Sequence, residues 1–505
     1  MPFPRSSGVL LHPTSFPGPF GVGDVGSAAY RFIDFLQQSK QTIWQVLPLG
    51  PTGHGDSPYM CYSSMAGNHI LISLEKLVEQ GLLAQADIEG DRPNFPTHCA
   101  DYDRAIPYKL GLLTKAAQNF ATNATAEQRS AFETFCRDRQ DWLDDYALFM
   151  ALKQANSGKP WTQWDQTLVK RKPEALDYWR QQLADPIFQH KFWQFEFFNQ
   201  WSALKKYANE RDVIIFGDMP IYVAHDSADV WESPDIFQLN PETGEPAWMA
   251  GVPPDYFSET GQLWGNPIYN WEKIQQDDFQ WWVRRFKGLL DYVDILRIDH
   301  FRGFEAFWQI PYGEETAING HWVGAPGHQL FEKIGAELGK LPIVAEDLGI
   351  ITPEVEHLRD RFQFPGMKIL HFAFGGDDGN PYLPHNHVEN CIVYTGTHDN
   401  DTSMGWFNQL PDWERDKLMG YIGGIDQDSV HWKMVHLAFS SVANQVIVPL
   451  QDLFGLGSDC RMNTPGKPSG NWTWRYEEGQ LTQAVGDRLA NLTTQHNREC
   501  SPVTL

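Results

Sequence analysis

Short runs of apolar residues alternate along this chain with stretches whose apolar positions recur every three or four residues. The clearest run is Ile295-Leu296-Arg297-Ile298, entered from Asp294 and left through Asp299-His300-Phe301-Arg302-Gly303. Apolar residues dominate both of its faces, the pattern of a strand covered on both sides. Pro342-Ile343-Val344-Ala345, Lys368-Ile369-Leu370-His371-Phe372, Cys391-Ile392-Val393-Tyr394-Thr395 and Val446-Ile447-Val448-Pro449-Leu450 are of the same kind, as are 43–47, 70–74 and 213–216. Helical spacing predicts helices over 28–39, 279–290, 330–338 and 353–362. Short buried strands alternating with helices are parallel βα units. Strand starts at Ile43, Ile70, Val213, Asp294, Ile343, Lys368, Ile392 and Val446 make eight, the number that closes a barrel. The expected fold is α/β, a (β/α)8 TIM barrel.

Some stretches depart from that rhythm. Residues 75–200 are polar, with helical pieces at 108–119, 125–139, 141–154 and 188–207, and read as a mainly helical insertion packed on the barrel. Residues 224–270 show little periodicity and read as a loop insertion over the cleft, whose aromatic content argues against disorder. Residues 7–26, rich in Gly and Pro, read as a rim segment, and 50–59 as a long loop behind a strand, a place where sites are built.

A chain of 505 residues accommodates a barrel of roughly 250 residues with such insertions. The net charge of −24 argues against nucleic acid and anionic membranes as partners and suits a neutral substrate. The 20 Trp, 31 Phe and 17 Tyr fit a sugar substrate, because sugar rings present flat apolar faces that stack on aromatic planes, although most of the Trp belong in the core. Cys61, Cys99, Cys136, Cys391, Cys460 and Cys500 show no CxxC spacing, which points to reduced thiols, a cytoplasmic setting and no zinc site. The start, Met1-Pro2-Phe3-Pro4-Arg5, lacks the layout of a signal peptide, and no apolar run is long enough to span a membrane.

In a barrel the chemistry sits where strands end, and three predicted strands lead into acids: Asp299, Glu346 and Asp399. Two carboxylates flanking a bond are what glycosyl transfer needs, at roughly 5–5.5 Å apart for retention of configuration. Asp299 shares a strand face with Arg297 and suits the anionic, attacking role. Glu346 follows Ile343-Val344-Ala345 and neighbours other acids, which suits a proton donor. Asp399, beside His398, is placed to hold sugar hydroxyls. Asp299, His300, Glu346, Asp347, His398, Asp399 and Asp401 are also possible metal ligands. Arg297 on the same face disfavours a cation, so no metal or other cofactor is expected.

These residues sit in stretches that make the chain resemble the 4-α-glucanotransferases called amylomaltases or disproportionating enzymes, within the α-amylase-type barrel clan. The resemblance spans essentially the whole chain. It is carried by Gly55-Asp56-Ser57-Pro58-Tyr59, Gly217-Asp218-Met219-Pro220, Gly251-Val252-Pro253-Pro254-Asp255-Tyr256-Phe257 and Gly261-Gln262-Leu263-Trp264-Gly265-Asn266-Pro267. Arg297-Ile298-Asp299-His300, Ala345-Glu346-Asp347-Leu348-Gly349, Thr397-His398-Asp399-Asn400, Asn463-Thr464-Pro465-Gly466 and Gly470-Asn471-Trp472 continue it. The resemblance implies Asp299 as nucleophile, Glu346 as general acid/base and Asp399 as stabiliser, with Arg297 and His398 as partners near the site. It implies Tyr59 and Trp264 as aromatic contacts to glucose, and Asn319 and Gly320 as part of a substrate-lining loop. Asp218 and His300 are either polar contacts to sugar or structural hydrogen-bond partners. α-1,4-Glucans and maltooligosaccharides are the implied substrates. The chain departs from the family at His54, where some members carry an aromatic used in a second, surface glucan site.

Overall fold

The computed structural model of the chain describes residues 3–255, 258–424 and 430–499. Eight parallel strands form one sheet: β1 (Ser6–Leu10), β2 (Ile43–Gln45), β3 (Ile214–Met219), β4 (Ile295–Ile298), β5 (Ile343–Ala345), β6 (Gly366–Ile369), β7 (Cys391–Tyr394) and β8 (Gln445–Pro449). Neighbours in chain order pair from β1 to β5 and from β6 to β8, with β8 back on β1. Ala345 N donates to Pro365 O at 2.9 Å and bridges β5 to the start of β6, bringing the sheet round into a barrel.

Both faces of these strands are buried, as their sequences predict. Ile43, Ile214, Phe216, Ile295, Val344, Ile392 and Ile447 pack together inside the barrel. Val9, Trp44, Ile215, Leu296, Ile298, Val393 and Val446 pack outward against the helices. The period of two then decides which side later residues take. Asp218 follows Ile214 and Phe216 onto the inner face, Arg297 and Asp299 follow Ile295, and Glu346 follows Val344.

The count of eight holds, but one expected member is wrong. Residues 70–74 are no strand: His69–Leu71 is a 3-10 turn, and Ser73 caps the helix Leu74–Glu79. The segment is apolar because the long helix Ala184–Asn209 clamps it. Gln194 exchanges hydrogen bonds with Gly67 N and O, at 2.7 and 2.8 Å, and Gln200 Oε1 accepts from Ser73 N at 2.8 Å. The eighth strand is β1, inside the expected rim segment. Its Ser6-Ser7-Gly8 looks like loop, yet small residues are what the barrel admits there: a Cβ on Gly8 would lie 2.2 Å from Ile43 O.

The helices Tyr102–Asn123, Ala126–Asp138 and Gln140–Ala155 fill the first polar stretch and pack with Ala184–Asn209. The second stretch is more ordered than its sequence implies. Trp248–Val252 and Gln262–Pro267 are antiparallel strands of a four-stranded sheet completed by Ala306–Pro311 and His321–Gly324. Trp248–Val252 pairs with Gln262–Pro267 nearby and with Ala306–Pro311 about sixty positions on, and Gly251, Gly261 and Gly265 interrupt the alternation of this hairpin. Among the described residues, no helix is long and apolar enough to cross a membrane.

Candidate active site

Arg297 lies in mid-strand, 4% exposed, opposite Asp218 in the β3–β4 register. Its Nη1 donates to both Asp218 oxygens, at 2.8 and 2.7 Å, and its Nη2 to Asp299 Oδ1 at 3.0 Å. Burial works to lower the guanidinium's pKa, but Asp218 and Asp299 overcome it and hold it well above the ordinary value. Tyr59 OH donates to Asp218 Oδ2 at 2.8 Å, from a loop held in a hairpin by Gly53 N to Met60 O and Tyr62 N to Pro51 O.

Asp299 and Glu346 are one residue beyond β4 and β5, whose last register pair is Ile298 with Ala345. The pairing persists past the strands: Glu346 N donates to Ile298 O at 3.0 Å and Phe301 N to Glu346 O at 3.1 Å. His300 takes a left-handed conformation, φ 50° and ψ 50°, costly for a residue with a Cβ and common at functional turns. Its N–H donates to Glu346 Oε2 at 2.6 Å, and Leu348 N to Oε1 at 3.2 Å.

Burial pushes the Glu346 carboxyl up to about 8; Arg297 opposes that, Asp299 and Asp347 add to it, and the His300 N–H pulls against it. Burial raises Asp299 to about 6, with Arg297 opposing and Asp218 and Asp399 adding to the rise. Arg297 has a second carboxylate to serve, which limits what it does for Asp299. Burial thus raises both carboxyls, Glu346 the further of the two.

Asp399 stands across the barrel mouth, in the loop after β7, its side chain 48% exposed. His398 Nε2 is 3.4 Å from its Oδ2, Asn463 Nδ2 donates to Oδ1 at 2.7 Å, and Arg461 Nη2 to its carbonyl at 2.8 Å. Burial lowers the His398 imidazole, with Asp399 opposing. The Tyr59 and His398 rings stack at 5.0 Å and 19°, and Trp472 lies 6.0 Å from both. Trp472 is also left-handed, φ 62°, held by its N–H to Met462 O at 2.7 Å and by Tyr102 OH to its carbonyl at 2.8 Å.

Trp264, on the strand Gln262–Pro267, meets His300 edge-to-face at 4.9 Å and so reaches the β4 exit. Burial, helped by Arg302, lowers His300 to about 3, so its ring is neutral. Asn319 and Gly320 do not join the acids directly. Asn319 Nδ2 donates to Glu314 Oε2 at 2.9 Å, and Gly320 backs onto the Trp308 indole. Ala317 N donates to Thr260 O at 3.0 Å and ties their loop to the sheet that carries Trp264. Tyr256, Phe257 and the side chain of His54 lie outside the described residues. Among those described, no group of three or more His, Cys, Asp or Glu is arranged to hold a metal ion. The structure adds Trp472, Asn463 and Arg461 to the mouth. Asn463 and Trp472 lie in stretches that carry the resemblance, but nothing in their local pattern assigns them a place.

Fold and mouth together are those of a barrel enzyme for sugar chemistry. The model of the family described as 4-alpha-glucanotransferase matches residues 11–482. The 4-alpha-glucanotransferase of Synechocystis sp. is 54% identical over 496 residues, 98% of this chain and 98% of its own length. That of Thermus thermophilus is 49% identical over 498 residues, 97% and 98% of the two chains. The solved structure of amylomaltase from Streptococcus agalactiae in complex with acarbose matches with a TM-score of 0.95 at 40% identity, covering 98% of this chain and 99% of that one. The chain belongs to the 4-alpha-glucanotransferase family and is an enzyme of that class.

Proposed function

We propose that Asp299 and Glu346 carry out, in this chain, the retaining transfer of an α-1,4-glucan segment to the 4-hydroxyl of another glucan or of glucose. Asp299 attacks the anomeric carbon while Glu346 gives its proton to the departing glycosidic oxygen. A covalent glucosyl-enzyme results. Glu346, now ionised, takes the proton of the incoming 4-hydroxyl, and that oxygen displaces Asp299. Arg297 orients the nucleophile. His398 and Asp399 hold the hydroxyls of the reacting sugar, Tyr59 stacks beneath it, and Asp218 anchors Tyr59 and Arg297. Trp264 and the 319–320 loop form the acceptor side, within the 224–270 insertion and its neighbouring sheet, and the 75–200 insertion flanks the cleft.

One observation carries this reading: the two carboxylates leave neighbouring parallel strands at one level, with burial raising Glu346 further than Asp299. Such strands run about 4.8 Å apart, compatible with the roughly 5–5.5 Å that retention needs. Transfer outruns hydrolysis only while an acceptor, not water, occupies the far side of the intermediate. Stacking on aromatic surfaces such as Trp264 supplies that preference. The described cysteines, none in a disulfide, support a reducing compartment such as the cytoplasm.

Incubation with maltotriose tests the assignment. The expected product is a ladder of longer and shorter maltooligosaccharides with little new reducing power. A steady gain of reducing ends without longer products would make the enzyme a hydrolase.

A further inference from the structure

The loop bearing His398 and Asp399 leaves β7 at Thr395 and enters the helix Ser403–Gln409. One side chain grips both of its ends. Asp452, in the short helix Leu450–Phe454 after β8, is 1% exposed. Its Oδ2 accepts from Thr395 Oγ1 at 2.5 Å and from Ser403 Oγ at 2.8 Å, and its Oδ1 accepts from Ser403 N at 2.7 Å. Among the described residues no lysine or arginine pairs with it, so three neutral donors alone compensate its burial. A buried carboxylate without a countercharge is expensive, and here it joins the entry and exit of a loop that carries two residues of the site.

The surroundings make the grip rigid. His371 Nε2 lies 3.1 Å from Ser403 Oγ, and its ring stacks on Trp406 at 4.5 Å and 10°. A Cβ on Gly396 would come within 2.7 Å of the His371 ring, so the loop leaves β7 pressed against that histidine. Within the loop, Asn400 Oδ1 accepts from Thr397 N and Thr397 Oγ1, both at 2.8 Å, and Asp399 N donates to Thr397 Oγ1 at 3.3 Å. Hydrogen bonds among Thr397, Asp399 and Asn400 thus fold the middle of the loop between its held ends.

We propose that Asp452 is a positioning residue for the transfer reaction: by clasping both ends of the 395–403 loop it sets where His398 and Asp399 stand against Asp299. The proposal rests on the role given above to Asp399. Removing the clasp lowers kcat more than it raises KM, because the loop still forms but no longer holds transition-state geometry.

The test is a double-mutant cycle on the full chain, measuring kcat and KM for maltotriose with Asp399→Asn, Asp452→Ala and the pair. Asp399→Asn is expected to lower kcat by about 1,000-fold, and Asp452→Ala by about 50-fold with KM within about threefold of the parent. The pair should fall no more than about threefold below Asp399→Asn alone, since one effect runs through the other. Asp452→Asn can keep all three hydrogen bonds, its amide donating to the two hydroxyls, and should recover kcat to within about threefold of the parent. Should Asp452→Ala fail to fold, Thr395→Val removes one donor while keeping shape, and about a fivefold loss of kcat is expected. The proposal is overturned if the foldable variant keeps parental kcat, or loses the same factor with and without Asp399, the mark of a merely structural residue. Parental activity in Asp399→Asn would instead sink the role of Asp399, and that arm is read independently of Asp452.

Discussion

Asp299 and Glu346 stand one residue beyond their strands, whereas Asp399 stands five beyond its own. The first two inherit their places from the barrel: the hydrogen bonds of Asp299 N to Met219 O and Glu346 N to Ile298 O, both 3.0 Å, continue the strand ladder to the reacting groups. The third is placed mainly by side chains, Asn463 on its carboxylate, Arg461 on its carbonyl and Asp452 at the ends of its loop, beside one backbone hydrogen bond from Asn463 N to His398 O at 3.1 Å. A wall set by backbone register offers no alternative position, so replacing its functional atoms is all-or-none. A wall set by several side-chain contacts yields in steps as each contact is removed.

The largest effect therefore belongs to the backbone-set wall. Asp299→Asn should lower kcat by at least about 10⁴-fold while maltooligosaccharide binding survives, because shape and the Arg297–Asp218 pair remain. Fold is expected to hold for the same reason. Single-turnover measurements that found substantial residual transfer would exclude Asp299 as the nucleophile.

The next effect is the pH profile of kcat/KM. On the proposed assignment, activity needs Asp299 ionised and Glu346 protonated. As pH falls through about 6, Asp299 takes up a proton and activity drops about tenfold per unit; as pH rises through about 8, Glu346 loses its proton and activity drops likewise. In Glu346→Gln, assayed with a glycosyl fluoride that needs no acid, the alkaline limb should vanish. The acid limb should stay near 6, since Glu346 is already neutral there. An acid limb near 4 would show that burial does not raise Asp299 and that Arg297 governs it alone.

The same contrast explains what could be read from the chain. Asp299 and Glu346 were legible because each ends a run of apolar residues, and a period of two carries the inner face onto them. β1 was hidden because it opens on Ser6, Ser7 and Gly8, of which Gly8 is fixed by tight packing against Ile43 of β2 and not by hydrophobicity. Residues 70–74 misled in the opposite sense, apolar through burial under a helix more than a hundred residues away. The sheet holding Trp264 left no period because Gly251, Gly261 and Gly265 break its first hairpin and that hairpin joins the rest of the sheet only about sixty residues on. Trp472, Asn463 and Arg461 join the site through backbone turns and side-chain hydrogen bonds, interactions that leave no repeat in a sequence.

The smallest predicted effect probes the side-chain-set wall at its edge. Asn463 gives Asp399 Oδ1 a hydrogen bond of 2.7 Å, while His398 Nε2 stays near Oδ2 and Arg461 keeps the carbonyl. Asn463→Ala removes one of these restraints, on a carboxylate 48% exposed that water can serve in its place. The net worth of such a bond is about 1 kcal/mol, which corresponds to about a fivefold loss in kcat/KM for maltotriose. Because Asp452 still clasps the loop, the loss should add to that of Thr395→Val instead of replacing it, two independent holds on one residue each giving way a little. A collapse of activity comparable to Asp299→Asn would show that this wall too is all-or-none, and the distinction between register and side-chain placement would fail.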